Sequence, residues 1–281
     1  MSAVDGAFAA ARAEDRAALV GYLPAGFPTY DGCVDAVRAM VDGGVDLVEV
    51  GLPYSDPVMD GPTIQAAAQQ ALAAGLRTRD VLRTVEEVAA LVPTVVMTYW
   101  NPVERYGVDR FARDLAAAGG SGLITPDLVP DEAAEWLAAS DAHALDRIFL
   151  VSPSSTDARI AMTVDACRGF VYATSVMGVT GARKETSHRA PALVARVRQA
   201  TSLPIGLGLG VSNGAQAAEV AEFADGVIVG SAFVRCLLDD GEAPADRASS
   251  GRATGQAAVR ALAEDLAAGV RRTTSGTPQD A

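Results

Sequence analysis

Glu49, Asp56 and Asp60 lie close together in the segment 48–63, and only Glu49 is set inside an apolar, β-branched run, between Val48 and Val50. An ionised carboxylate in such surroundings must be paired, hydrogen-bonded or held protonated, because leaving it alone costs several kcal/mol or more. One reading is a structural ion pair with an arginine; the other is a carboxyl kept neutral for chemistry. The loop after it favours the second. Gly51, Pro53, Pro57 and Gly61 let the chain fold back over its own strand and bring Asp60 near Glu49. Two carboxylates in different environments serve as acid and base.

The remaining candidates are few. Lys184 is the single lysine and sits in a polar loop, not on a buried strand where an amine would be activated for imine formation. His143 and His188 are the only histidines, in polar surroundings without paired ligand spacing, so both read as solvated surface residues. Cys33, Cys167 and Cys236 are scattered, odd in number and read as reduced thiols. Beyond the carboxylates, Tyr99 and Tyr172 are the strand-end groups able to carry a proton.

The elements that must position these groups alternate. Apolar, β-branched runs at 18–23, 46–52, 94–99, 122–125, 147–151, 169–175, 204–208 and 226–229 read as eight buried strands. Helical patterns separate them at 29–43, 64–76, 81–91, 108–118, 131–139, 156–167, 190–200 and 213–223, with Asn101-Pro102 expected to end the third strand and a polar loop at 176–189. A helix at about 4–16 precedes the first strand. A polar insert at about 239–255 leads to a last helix ending near 270 and a frayed tail from 271. Strands alternating with helices imply parallel pairing, and eight of them in 281 residues imply the α/β class, as one (β/α)8 TIM barrel with an extra helix at each end. An open doubly wound sheet is the alternative. The expected domain is 1–270, and Glu49, near a strand end, is buried whichever way its strand faces.

Three later strand ends carry glycine: Gly178 and Gly181 after strand six, Gly208 and Gly210 after seven, Gly230-Ser231 after eight. Each alone marks only a tight turn, but together they suggest a backbone cradle for phosphate, with Gly230-Ser231 opening a short helix. Such a local cradle is needed because a formal charge of −12 gives no basic stripe, which also excludes a nucleic-acid partner. Hydrophobic content of 49% without a run of about 18 apolar residues argues against a membrane span, and the N-terminus lacks a signal-peptide pattern, so a cytoplasmic protein is expected.

The segment 48–65, V-E-V-G-L-P-Y-S-D-P-V-M-D-G-P-T-I-Q, closely resembles the signature of the tryptophan synthase α subunit. Segments 23–28, 97–102, 125–128, 175–182 and 208–212 resemble that family in the same order, over roughly residues 18 to 235. The resemblance implies a lyase splitting indole-3-glycerol phosphate into indole and glyceraldehyde 3-phosphate. It implies no cofactor in this subunit, a β partner holding pyridoxal phosphate, and an αββα assembly. By the same resemblance Glu49 is the general acid/base and Asp60 faces the indole nitrogen. Tyr172 lies near it in the pocket, Tyr22, Ile64, Met97 and Tyr99 form the wall, and Thr180 and Gly181 belong to a closing loop. Gly210, Gly230 and Ser231 match the phosphate site, and Asp56 and Pro57 the signal to the partner. Met59, where a small residue is usual, and Leu209, where some members have an aromatic, depart from the pattern. Other readings of the chain are a lyase needing no partner, an idle subunit that only activates one, and another phosphate-binding barrel, which would lack the 48–65 segment.

Overall fold

The computed structural model describes residues 1–174, 183–238 and 248–271. Eight short strands, β1 (Ala18–Pro24), β2 (Leu47–Gly51), β3 (Thr94–Met97), β4 (Gly122–Thr125), β5 (Asp146–Val151), β6 (Val171–Thr174), β7 (Ile205–Gly208) and β8 (Gly226–Val229), pair in chain order. All pairs are parallel, and β1 pairs with β8 through Ala18↔Gly226 to Gly21↔Val229, which closes the barrel. The sheet has no free edge, so every strand is buried on both faces and reads as a near-continuous apolar run.

Alternation along the strands divides the core in two. Ala18, Val20, Leu47, Val95, Ile124, Ile148, Phe170 and Ile228 point inward and form one cluster with Val4, Phe8 and Ala11. Those last three belong to α1 (Ala3–Ala13), whose N-terminus is closed by a capping box between Ser2 and Asp5. The Phe8 and Phe170 rings lie 5.3 Å apart. Side chains of the opposite phase, such as Leu19, Val48, Val50, Val96 and Leu123, form the larger cluster under the outer helices.

The outer layer begins with α2 (Tyr30–Asp42), capped by Thr29 and followed by Gly43-Gly44 as the sequence predicts. Next come α3 (Pro62–Ala73), α4 (Thr78–Ala89), α5 (Trp100–Tyr106), α6 (Val108–Ala117) and α7 (Ala134–Ala142). The layer is completed by α8 (Asp157–Ala166), α9 (Arg183–Ala200), α10 (Gly214–Ala221), α11 (Ser231–Leu238) and α12 (Ala248–Gly269). Helix α12 packs on α2 closely enough that a Cβ on Gly43 would stand 2.4 Å from that of Ala263. Among the described residues no helix is long and apolar enough to cross a membrane.

Three expectations need correction. Strand β3 ends at Met97, already before Asn101-Pro102, which sits in the first turn of α5, where Pro102 lacks only an N–H that has no intrahelical partner. The Asp127 carboxylate accepts the Trp100 N–H at 2.9 and 3.1 Å and so starts that helix. Helix α9 begins at Arg183, inside the expected loop 176–189, and runs through Pro191, which reads locally as a helix start. Helix α12 begins at Ala248, inside the expected polar insert, so Ser249, Ser250 and Gly251 are taken into the start of a 22-residue helix whose later turns are Ala-rich. Of the tail expected to fray from Arg271, Arg271 itself forms an antiparallel bridge with Arg16, and residues 272–281 lie outside the described residues.

Candidate active site

Parallel pairing puts the C-terminal ends of all eight strands on one side, and β2 delivers Glu49 there, two residues before its end. Glu49 is 1% exposed. Its Oε1 has no hydrogen-bond partner, and among the described residues no arginine or other cation pairs with it, so the structural ion pair is absent. Burial alone pushes its carboxyl from the ordinary 4.5 up to about 8. A group of that kind is protonated at neutral pH and close to the point where it releases the proton.

Asp60 reaches the same end on the irregular segment between β2 and α3. Its Oδ1 accepts a hydrogen bond from the Tyr99 hydroxyl at 3.0 Å, and the same hydroxyl accepts the Met59 N–H at 3.0 Å. Burial raises the Asp60 carboxyl above its ordinary value, and the Tyr99 hydrogen bond pulls it back down. Glu49, by contrast, has no such donor among the described residues. The two acids therefore sit in unlike environments, which separates their roles.

Tyr22 on β1 connects them. Its register partner is Glu49. Burial raises its phenol well above the ordinary value, and the charges of Asp60 and then Glu49 push it further. Tyr172 on β6 is raised well above it too, by burial first and then by Glu49 and Tyr22. Both phenols stay neutral donors. Met97, Leu150 and Tyr172 are half-buried above the inner cluster. Leu150 was not singled out from sequence, although the period of two from Ile148 would have found it.

The strand-end glycines do two different things. A Cβ on Gly51 would lie 2.4 Å from the Tyr22 hydroxyl, one on Gly208 would lie 2.6 Å from the Tyr172 hydroxyl, and one on Gly230 would lie 3.1 Å from the Tyr22 ring. These three make room for tyrosines. Gly210 differs, with φ of +69° and nothing within 4 Å of a built Cβ, so its backbone lies open beyond β7. Gly230 ends β8 and its carbonyl accepts the Val234 N–H at 3.2 Å, so Ser231 opens α11 on the same side as Glu49. The α11 N-terminus and Gly210 together offer backbone N–H groups to an anion.

Other predicted positions lie off the inner cluster. Ile64 on α3 and Leu209 after β7 are half-buried against the outer cluster. Thr180 and Gly181 lie outside the described residues. His143 caps the C-terminus of α7 and pairs with Asp109 at 2.9 Å, so it is a partnered surface group away from the site. Cys33 and Cys167 are buried and Cys236 half-buried, and none of the three forms a disulfide among the described residues. Among the described residues no three or more His, Cys, Asp or Glu side chains cluster as metal ligands. A cleft of about 390 Å³ outside the barrel, lined by Tyr54, Asn101 and Arg105 among others, contains neither Glu49 nor Asp60.

Comparison with known proteins gives a consistent result. The family model described as tryptophan synthase alpha chain matches residues 8–266. The tryptophan synthase alpha chain of Salinispora arenicola is 66% identical over 246 residues, covering 87% of this chain and 92% of that relative. That of Acidothermus cellulolyticus is 67% identical over 247 residues, covering 87% and 92%. Among solved structures, a Mycobacterium tuberculosis tryptophan synthase is 56% identical with a TM-score of 0.87, covering 97% of this chain and 99% of the matched one.

Proposed function

The chain belongs to the tryptophan synthase alpha chain family, and from that premise we propose that the strand-end pocket around Glu49 is where its substrate is cut. As a member it is a lyase of tryptophan biosynthesis. It cleaves indole-3-glycerol phosphate by a retro-aldol reaction into indole and glyceraldehyde 3-phosphate, and the indole passes to a β subunit. The subunit itself needs no cofactor.

Protonated Glu49 gives its proton to C3 of the indole ring, which places a positive charge on the ring at N1. Asp60, ionised, stabilises that charge. The Glu49 carboxylate then takes the proton of the hydroxyl next to C3. The C–O bond becomes a carbonyl, the carbon–carbon bond breaks, and its electrons return to the ring and neutralise N1. Glu49 ends as it began, protonated. The observation that carries this reading is the buried, unpartnered Glu49 oxygen, with its carboxyl raised to about 8 by burial alone.

Tyr22, Met97 and Tyr172 flank the ring, Tyr99 stands behind Asp60, and Ile64 and Leu209 contribute from the rim. Gly210, Gly230 and Ser231 hold the phosphate, and by the family pattern Thr180 and Gly181, outside the described residues, are further substrate-binding positions. Asp56 and Pro57, at the exposed turn before Asp60, face the β partner in an αββα assembly whose β subunits hold pyridoxal phosphate. Residues 1–270 form the working domain, in the cytoplasm. The test is indole release from indole-3-glycerol phosphate by Glu49→Gln and Asp60→Asn, with and without added β subunit. Each variant should lose about 10²-fold or more. Undiminished release by Glu49→Gln assigns the proton transfer to another group.

A further inference from the structure

The segment between β2 and α3, residues 52–61, carries Asp60 without regular secondary structure of its own. Ser55 and Asp56 are exposed, and Val58 is 77% exposed. Something outside the segment must fix the carboxylate. The ties at its acidic end are the Tyr99 hydroxyl, which reaches both Met59 and Asp60, and the Gln65 amide, which donates to the Asp60 carbonyl at 2.7 Å. The Gln65 bond fixes only backbone; Tyr99 alone holds the carboxylate itself, and among the described residues Asp60 Oδ2 takes no hydrogen bond.

We propose that Tyr99 is the positioning residue for Asp60, its single hydroxyl clamping loop and carboxylate together so that Oδ2 is presented to the indole nitrogen. The inference deepens the reading of Asp60 given above and rests on it. A phenol has one proton and two lone pairs, so it can donate to Oδ1 while accepting the Met59 N–H. The two bonds fix the carboxyl relative to the backbone one residue earlier, which sets its orientation as well as its place.

Tyr99 is itself rigid. It is 5% exposed and is the N-cap residue of α5, so its backbone is fixed between β3 and that helix. Its ring lies against that of Tyr54, with centroids 5.4 Å apart, and the Tyr54 hydroxyl accepts from the Asn101 side-chain amide at 2.8 Å. The backbone of the clamp is thus anchored on the barrel, and its ring rests on Tyr54 of the same segment, which Asn101 of α5 ties to the barrel in turn. The titratable groups facing Asp60 are Tyr99 from the β3–α5 junction and Tyr22 from β1, the latter also within electrostatic reach of Glu49 on β2. No cation faces it among the described residues, so the hydroxyl is the group that favours its ionised form.

The experiment uses Tyr99→Phe, Asp60→Asn and the double variant of the full chain, following indole release for kcat, KM and their pH dependence. Tyr99→Phe keeps the ring against Tyr54, and its thermal midpoint should stay within a few degrees of the parent. It should lower kcat about tenfold with KM changed much less. Loss of the donor should also move the acid limb of kcat to higher pH, since the donor lowers the Asp60 carboxyl. In the Asp60→Asn background the same substitution should add almost nothing. Parental kcat and pH profile in Tyr99→Phe, or a full multiplicative loss in the double variant, overturns the proposal while leaving Asp60 in place. Parental activity in Asp60→Asn overturns the site reading and the clamp with it.

Discussion

Replacing Glu49 by glutamine should make the protein more stable while disabling it. The folded chain holds the Glu49 proton up to about pH 8, whereas the unfolded chain releases it near 4.5. The proton therefore favours the folded state fully below 4.5, and that advantage is lost as pH rises toward 8, above which the loss is level. Each pH step in that window costs about 1.4 kcal/mol, so the deficit is about 3 kcal/mol at pH 7 and about 5 kcal/mol above pH 8. Glutamine has nearly the same shape, cannot ionise and carries no such deficit. The two proteins should differ by under about 1 kcal/mol at pH 5 and by about 3 kcal/mol at pH 7, which corresponds to roughly 6 °C in thermal midpoint for a chain of this size. Circular dichroism melts of both proteins at pH 5, 6, 7 and 8 measure the gap. A gap that does not grow with pH refutes the claim that Glu49 is desolvated without a partner.

Three further outcomes are expected. Indole release should decline as pH rises through about 8, where Glu49 loses the proton that it must deliver; a flat profile from pH 7 to 9.5 contradicts that role. Gly208→Ala puts a methyl 2.6 Å from the Tyr172 hydroxyl, and displacing that ring should raise KM for indole-3-glycerol phosphate several-fold at a stability cost of about 1–3 kcal/mol; unchanged kinetics would mean that Tyr172 does not line the pocket. Phe8→Ala removes a ring 2% exposed beneath β8, and urea unfolding should show a loss of about 3–5 kcal/mol, against under 1 kcal/mol if α1 were merely laid on the surface.

The strands were legible because closure buries both of their faces, which leaves eight apolar runs that need no partner to be recognised. Glu49 stood out for the same reason, as an acid flanked by valine on both sides within such a run. Local pattern failed where a distant group decided the outcome. Helix α5 starts at Trp100 because Asp127, across the next strand, supplies its cap, and no window around Asn101-Pro102 contains that information. The strand-end glycines were visible, but the division between Gly51, Gly208 and Gly230, which yield space to rings, and Gly210, which opens backbone, depends on which residues share an inward layer. Tyr99 was recognisable as a strand-end tyrosine, yet its bond to a carboxylate thirty-nine positions away is a matter of tertiary placement.

Helix α1 gives the barrel a stopper. With Val4, Phe8 and Ala11 driven into the bottom of the inner cluster, the described residues leave no back door at that end. Reactant and both fragments then share the opposite end of the barrel, where β2 delivers Glu49, so an aldehyde still lodged there stands in the way of the next arrival.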